Sequence, residues 1–254
     1  MGGRRHRASA AVTRTALDGE ADLKHFDRAF ALTNRLRTEG TDNLIAAAKE
    51  CGVRRFLAQS FCGWPYARTG GMVKCETDPL DAVPPAELGR SLAAIQYLER
   101  TVVAAQEFVG IVLRYGALYG PNTGILARSI IEQLRRRRMP LIGAGGGWWS
   151  FVHVDDAAEA TALAVEKGEA GIYNVVDSDP APVSEWLTSL AVLSSSPRPI
   201  RIPKWLARLA AGEHLVVMMT DARAGSNAKA KRELLWTLTY DSWRQGFAKV
   251  LVSL

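Results

Sequence analysis

Apolar and polar positions alternate in a regular way through the first half of the chain. Val53–Ser60 and Gly110–Tyr115 are apolar runs with the length of buried strands. Each follows a segment in which apolar residues recur at helical spacing, Gly40–Glu50 before the first strand and Leu88–Ala105 before the second. A further helix is predicted over Asp22–Ala31. Strands that alternate with helices predict an α/β fold with a parallel sheet.

The second half of the chain shows a more mixed pattern. Short strands are predicted on both sides of the glycine cluster Gly143–Gly147, which has the character of a hairpin turn. A helix over Asp155–Lys167 follows, with Asp155 or Asp156 as the residue that caps its start. The strands and helices predicted in this half are Pro140–Gly143, Phe151–Val154, Asp155–Lys167, Gly171–Val176, Trp205–Ala211 and Ala228–Leu235, with one more helix opening at Pro182.

The loops after the first two strands are where we expect chemistry, because ligands of parallel sheets bind beyond the carboxyl ends of the strands. These loops are Gln59–Tyr66 and Tyr115–Asn122. Trp64 and Tyr66 lie in the first loop, and the pair Trp148-Trp149 follows the glycine cluster. Two interpretations are open for these aromatic residues: they wall an apolar substrate pocket, or they belong to the core.

Composition narrows the class of protein. The chain has 254 residues, of which 48% are hydrophobic and 23% charged, as expected for one large α/β domain or two small ones. No apolar run approaches the roughly 20 residues of a membrane span. Cys51, Cys62 and Cys75 show no CxxC spacing, which predicts reduced thiols in the cytoplasm and no metal site or disulfide framework.

The net charge of +6 raises the question of a nucleic-acid partner. Part of the excess lies in Arg135–Arg138, at the end of the predicted helix Leu126–Arg138. Cations at this end of a helix interact favourably with the helix dipole, so a solvated helix terminus explains them. No nucleic-acid motif accompanies them. We therefore expect a small-molecule partner, without nucleic acid or membrane.

Several segments, taken in order, resemble the extended short-chain dehydrogenase/reductases of the NAD-dependent epimerase/dehydratase kind. The segments that carry the resemblance are Thr33–Asn43, Gly52–Ser60, Leu113–Pro121, Phe151–Ala157, Gly171–Asn174 and Lys229–Trp236. Each is weak alone, but their order along the chain makes the resemblance specific. It implies a Rossmann-like, doubly wound parallel sheet, a smaller C-terminal α/β substrate domain, NAD or NADP as the cofactor, and a homodimer as one expected assembly.

The resemblance also implies a division of the chain and a missing part. We expect an unstructured leader over residues 1–14, a remnant of the Rossmann-type domain over 15–122, and mostly substrate domain over 123–254. Residues 150–178 are expected to contribute a later strand and helix to the Rossmann-type domain. The family begins with a strand and a GxxGxxG turn that holds the pyrophosphate. Here the segment near Val12–Leu17 already resembles the fourth strand, so we expect a sheet that lacks its N-terminal strands and that glycine turn.

The usual catalytic pair of the family is absent as well. Family members carry a Tyr and a Lys four residues apart on the helix after the substrate loop. Alignment on Glu99 places Ser91 and Ile95 at these positions. An isoleucine supplies no charge, and a serine hydroxyl is a poor acid at neutral pH. Ser60 resembles the family's strand-end serine and is the remaining catalytic candidate, although a serine that satisfies loop backbone is an equal alternative.

The remaining site residues are expected from the resemblance alone. Ser60, Tyr115 and Gly116 are candidates for cofactor binding. The candidates for substrate binding are Tyr66, Tyr119, Asn122 and Trp149.

Two of these positions count against a nucleotide-sugar substrate. Trp149 stands where sugar-nucleotide epimerases have an arginine, and Gly116 stands where many have an asparagine. His153 is expected to be a packed structural histidine.

Two functions follow as hypotheses. The first is an NAD(P)-dependent epimerase/dehydratase-like oxidoreductase that acts on a nucleotide sugar or another small carbonyl or hydroxyl substrate. Under this hypothesis the chain is an inactive fragment or a mis-started reading frame. The second is a non-catalytic relative that binds a ligand or a partner on the same scaffold.

Overall fold

A computed structural model describes residues 9–11 and 23–252. Its strands are β1 Ser9–Ala11, β2 Arg55–Phe61, β3 Val73–Lys74, β4 Val109–Tyr115, β5 Ala117–Gly120, β6 Thr123–Gly124, β7 Leu141–Ile142, β8 Trp148–Trp149, β9 Phe151–His153, β10 Gly171–Val175, β11 Ala181–Pro182, β12 Arg201–Ile202 and β13 Ala224–Gly225. Its helices are α1 Phe26–Ala29, α2 Ala31–Arg35, α3 Thr41–Glu50, α4 Gly89–Ala104, α5 Arg128–Arg135, α6 Val154–Lys167, α7 Val183–Leu193, α8 Lys204–Thr220, α9 Ala228–Leu234 and α10 Trp243–Val252.

The main sheet has four parallel strands in the order β1-β2-β4-β10. Its register pairs Leu57 with Ile111 and Leu113 with Tyr173. The three longer strands lie where the apolar runs predicted them. Because β10 joins the same sheet, residues 171–175 extend the layer formed by the first half of the chain.

Helices cover both faces of this sheet. On one face, Phe56 and Val112 pack in a cluster with residues of α3 and α4. On the other face, Leu57 and Leu113 pack with residues of α6 and α9. Successive side chains of a strand point to opposite faces, so a strand buried on both faces is a continuous apolar run. The predicted Rossmann-like, doubly wound parallel sheet is confirmed.

A second core lies in the C-terminal half. Trp186 of α7 packs against Phe151 of β9, with ring centroids 5.7 Å apart. Trp243 and Phe247 of α10 close the same cluster. The strand β9 and the helix α6 that follows it connect this core to the main sheet.

Two expectations for the beginning of the chain need correction. Ser9–Ala11 forms a strand that pairs in parallel with β2, so the unstructured leader is wrong at these three residues; the rest of residues 1–14 lies outside the described residues. The helices predicted over Asp22–Ala31 and Gly40–Glu50 are also not separated by a non-helical segment. Short helical segments follow one another from Leu23, and a π-helical segment, Leu36–Gly40, leads directly into α3.

The glycine cluster Gly143–Gly147 is not a hairpin turn. The strand before it, β7, pairs with β12, and the strand after it, β8, pairs with β11. The segment instead packs against the start of α7, where the Ser184 amide donates to the Gly145 carbonyl at 3.0 Å. A Cβ on Gly145 would lie 2.9 Å from the Ser184 nitrogen, and the φ of Gly145 is +66°. The glycine is therefore required by this close approach.

The cap of α6 also differs from the prediction. His153 is the N-cap, and its Nδ1 accepts a hydrogen bond from the Asp155 amide at 3.2 Å. The Asp156 carboxylate instead accepts from the amides of Thr239 and Tyr240, at 2.8 and 2.9 Å. The His153 ring stacks on that of Tyr240, with centroids 3.9 Å apart, as a packed structural histidine does.

No helix in the described part of the chain combines the length and the apolar character that crossing a membrane requires.

Candidate active site

A cavity of about 270 Å³ opens beside the carboxyl end of β2. Its walls come from the strand end Gln59–Phe61, from the helical segment of residues 26–37, and from the second half of α8. The cavity thus lies where parallel sheets bind their ligands. Half of its ten lining residues are aromatic, His214 included, and a few others are polar, as in small-molecule sites.

The aromatic wall is built around Phe26. Its ring stacks on Phe30 and on His214, with centroids 4.2 and 3.8 Å away, and meets the edge of Trp64 at 5.8 Å. His214 lies two residues after Gly212, where α8 is kinked and φ is +84°. Burial lowers the pKa of His214 to about 4. The imidazole is therefore neutral at pH 7, and its Nδ1 has no hydrogen-bond partner among the described residues.

The polar wall includes Arg37, a half-buried cation. No hydrogen bond or ion pair joins its guanidinium to another described residue. Burial lowers the pKa of Arg37, and the charge of Glu99 offsets only part of this effect. An unpaired, partly desolvated guanidinium in a cavity is a ready site for an anion.

Beneath the cavity floor lies a buried chain of hydrogen bonds, here called the Ser60 network. The Ser60 hydroxyl donates to Glu99 Oε1 at 2.6 Å, and Arg114 donates to both oxygens of Glu99 at 2.8 and 2.6 Å. Arg114 also donates to the Tyr66 hydroxyl at 2.9 Å, and Tyr66 donates to Asn174 Oδ1 at 2.8 Å. The Ser60 proton is thus committed to Glu99, and its oxygen can accept from a ligand.

The protonation states of this network are fixed by its surroundings. Burial alone would lower the pKa of Arg114, but hydrogen bonds and charge attraction from Glu99 raise it above its ordinary value. Burial raises the pKa of Tyr66, so its hydroxyl stays protonated. Glu99 and Arg114 therefore form a buried ion pair, and Tyr66 remains a neutral donor.

Ser91 and Ile95, which the resemblance places at the positions of the family's catalytic pair, have structural contacts. Asp27 accepts from the Ser91 amide at 2.8 Å and from the Ser91 hydroxyl at 2.6 Å, and it also accepts from the Arg90 amide. Asn34 donates to the Ser91 oxygen at 2.9 Å. We call Asp27, Asn34 and Ser91 the Ser91 cluster. It caps α4, while Ile95 packs one turn further on in the apolar cluster around Phe26.

The predicted cofactor-binding residues are only partly brought to the cavity. Ser60 lines it. The Tyr115 hydroxyl instead hydrogen-bonds Thr161 of α6. Gly116 packs so closely that a Cβ would lie 2.7 Å from the Ser150 carbonyl oxygen, which explains why no asparagine stands there.

The predicted substrate-binding residues are not brought together. Tyr66 is buried in the Ser60 network, and Tyr119 is buried against His153 and Phe247. The side chains of Asn122 and Trp149 form hydrogen bonds with backbone groups. Asn122 Oδ1 accepts from the Arg128 amide at 3.0 Å, and the Trp149 indole donates to the Met218 carbonyl at 2.7 Å. Trp149 borders only a small gap next to the cavity. These contacts therefore give no support to the prediction that the four residues bind the substrate.

Sequence reasoning missed several cavity residues, above all Arg37 and His214. One signal was present for Arg37. Along its helical segment the positions three and four residues away hold Thr33, Asn34, Gly40 and Thr41, so no acid lies at the spacing that forms an ion pair along a helix. No local signal marks His214, which reaches the cavity through the packing of α8.

The fit of a dinucleotide cofactor can be judged from these groups. The Ser60 oxygen and Arg37 give the cavity polar groups for a nicotinamide ring and its neighbours. Within residues 9–11 and 23–252, however, no glycine-rich turn leads from a strand into a helix. The described residues thus fit the nicotinamide end and not the pyrophosphate. The same ranges contain no group of three or more His, Cys, Asp or Glu side chains placed to hold a metal ion.

Comparisons with known proteins agree with this architecture. A family model described as NAD dependent epimerase/dehydratase family matches residues 21–176. The chain is 41% identical over 225 residues to a 3-diazoavenalumate denitrifying reductase of a Streptomyces species, covering 87% of this chain and 73% of that protein. It is 28% identical to a 2-alkyl-3-oxoalkanoate reductase of Stenotrophomonas maltophilia, and there it spans only 50% of the relative.

Solved structures show the same fold. The UDP-glucose 4-epimerase of Thermotoga maritima, with UDP-glucose, matches with a TM-score of 0.69 at 22% identity, over 93% of this chain and 74% of that one. The human epimerase family protein SDR39U1, with NADPH, matches with a TM-score of 0.73 at 16% identity, over 94% and 81%. The family model spans more than half of the residues and the 41% identical relative is covered over most of its length, so this chain belongs to the NAD-dependent epimerase/dehydratase family.

Proposed function

We propose that this chain is an NAD(P)-dependent reductase whose substrate accepts a hydride without needing a proton from the protein. The observation that carries the proposal is the Ser91 cluster. Ser91 and Ile95 are fully buried where the family keeps its Tyr and Lys, and the Ser91 hydroxyl is held between Asp27 and Asn34. Neither position can give a proton to a ligand in the cavity.

Different substrates place different demands on such a site. Reduction of a carbonyl group consumes a hydride and a proton, and a positioned acid typically speeds it by about 10²–10⁴-fold. Reductive replacement of an aromatic diazonium group breaks the C–N bond, forms a C–H bond and releases N2, and it consumes no proton. The 41% identical relative is named as a denitrifying reductase of a diazo compound. An aromatic diazo compound is therefore the substrate we propose.

The chain's own residues suit this chemistry. When bound, the nicotinamide supplies the hydride. Phe26, Phe30 and Trp64 form an apolar wall of the cavity that suits an aromatic ring. The Ser60 oxygen, oriented by Glu99, is a fixed hydrogen-bond acceptor on the cavity wall.

The test follows hydride transfer with deuterated reductant. The full chain is incubated with [4-²H]NADH or [4-²H]NADPH and 3-diazo-4-hydroxycinnamate, and with 4-acetylbenzoate as the ketone. We expect N2 release and deuterium at the former diazo carbon, seen by NMR and above the rate without protein, with the ketone reduced at least ~10²-fold more slowly.

Two results would contradict this function. Ketone reduction as fast as diazo reduction would mean that a protein acid operates after all. Failure of the chain to bind NADH or NADPH would favour the second hypothesis, a non-catalytic relative that binds a ligand or partner on this scaffold.

A further inference from the structure

We infer that the cavity is built for an aromatic carboxylate, with the carboxylate on Arg37 and the ring against Phe26, Phe30 and Trp64. The inference rests on the proposed function and specifies its substrate class. Arg37 and the aromatic wall line the same cavity, beside Ser60. A carboxylic acid with a conjugated ring joins an anion and a flat apolar body, which are the two features that this cavity offers.

The unpaired state of Arg37 is the first argument. Its helical neighbour Arg35 is exposed and pairs with Glu39 at 2.8 Å. The acid whose charge Arg37 feels is Glu99, and both oxygens of that carboxylate already receive hydrogen bonds from Arg114. A guanidinium presents a planar fork of donors that matches a carboxylate. Arg37 is therefore a donor group without an acceptor among the described residues.

The cost of keeping Arg37 unpaired is the second argument. Removing a cation from water without pairing it is unfavourable, and burial indeed lowers the pKa of this group. A side chain that only stabilised the fold would be paired or fully solvated. Arg37 instead has a charge that no other described residue pairs, as expected for a binding residue.

The aromatic wall favours a carboxylate over a simple phosphate. Phe26, Phe30 and Trp64 line the cavity, and contacts of Phe26 with the other two rings, at centroid distances of 4.2 and 5.8 Å, hold this apolar wall together. Inorganic phosphate would gain nothing from these faces, whereas a ring buries apolar surface against them. A phosphate group of the dinucleotide is the other source of an anion, and the experiment separates the two.

The test is a calorimetric titration of the full chain, without nucleotide, with cinnamate and with cinnamamide. The two probes have the same ring and differ in charge. We expect cinnamate to bind at least tenfold more tightly than cinnamamide. Arg37→Met should abolish this preference, Arg37→Lys should reduce it, and the matched control Arg35→Met should keep it. Equal binding of the two probes, or a preference that survives in Arg37→Met, would overturn the inference.

Two further measurements cover misfolding and the phosphate alternative. The thermal midpoint of Arg37→Met should equal or exceed that of the wild type, because an unpaired charge is removed; a large loss of stability would assign Arg37 a structural role and overturn the inference. Inorganic phosphate could displace cinnamate as well as unlabelled cinnamate does, and Arg37→Met could weaken the binding of NADPH but not that of cinnamate. These two results together would mean that Arg37 binds a phosphate of the dinucleotide, and they would overturn the inference. Because the titrations contain no nucleotide, carboxylate binding is measured even if hydride transfer fails.

Discussion

Helix α4 contributes residues to two buried polar clusters, which differ in whether a hydrogen-bonding atom remains available to a ligand. The Ser91 cluster lies at its first turn, and Glu99 of the Ser60 network lies two turns further on. Ser91 and Ser60 are 0% and 4% exposed. In the first group the Ser91 hydroxyl both donates and accepts inside the protein. In the second, Ser60 donates to Glu99 and its oxygen remains an acceptor on the cavity wall.

The comparison shows that burial alone does not distinguish a structural from a functional polar group. What differs is whether any hydrogen-bonding capacity remains for a ligand. The Ser91 cluster has used its capacity to cap α4 and to join it to the helical segment of residues 26–37. The Ser60 network has used its capacity to hold one serine oxygen at the cavity. Substitutions in the two groups should therefore separate stability from activity.

The largest expected effect is that of Glu99→Gln. The amide cannot balance the charge of Arg114, whose guanidinium is 4% exposed and loses its ionic partner. Breaking a buried ion pair from one side typically costs about 3–5 kcal/mol. We expect the free energy of unfolding, measured by urea denaturation at pH 7, to fall by this amount.

A matched control is Glu132→Gln. It breaks the ion pair with Arg136, which is about half exposed on α5. Pairs of this kind contribute at most about 0.5 kcal/mol. If Glu99→Gln costs no more than this control, the Ser60 network does not hold its residues together and the comparison fails.

The parts of the fold that sequence predicted are those with local patterns. Apolar runs of eight and six residues revealed β2 and β4, because both faces of a strand in a covered parallel sheet are apolar. Ser91 and Ile95 were matched to the family's catalytic pair by alignment on Glu99, and that match stays a prediction. Their structural role was not visible, because Asp27 and Asn34 reach Ser91 from 64 and 57 residues away.

The cavity itself could not be predicted for the same physical reason. Phe26 and His214 stack at 3.8 Å although 188 residues separate them, and only the packing of α8 brings them together. Tyr66 was assigned to the substrate because it follows a strand end. It turns inward instead, since Arg114 and Asn174 provide the partners that a buried hydroxyl requires.

The second prediction concerns Asp27→Ala in the Ser91 cluster. The substitution removes the acceptor of two amides at the start of α4 and of the Ser91 hydroxyl. Lost capping and unsatisfied buried donors together should cost about 2 kcal/mol. Urea denaturation should show this loss. Asp42→Ala, which removes an exposed hydrogen bond with Tyr97 of the same helix, should have a smaller effect, and the opposite order would refute the capping role.

The smallest effects come from the two serines, and they test the comparison most directly. Ser60→Ala and Ser91→Ala should each lower the free energy of unfolding by about 1 kcal/mol, because each removes a buried hydroxyl from a paired carboxylate. Their activities should differ. Loss of the Ser60 acceptor should lower kcat/KM for 3-diazo-4-hydroxycinnamate about tenfold, because one hydrogen bond that stabilises the transition state contributes about 1 kcal/mol. Ser91→Ala should leave kcat/KM unchanged, because its hydroxyl is held by Asp27 and Asn34 away from the cavity. Equal losses of kcat/KM in both variants would mean that the Ser91 cluster and the Ser60 network do not have separate roles.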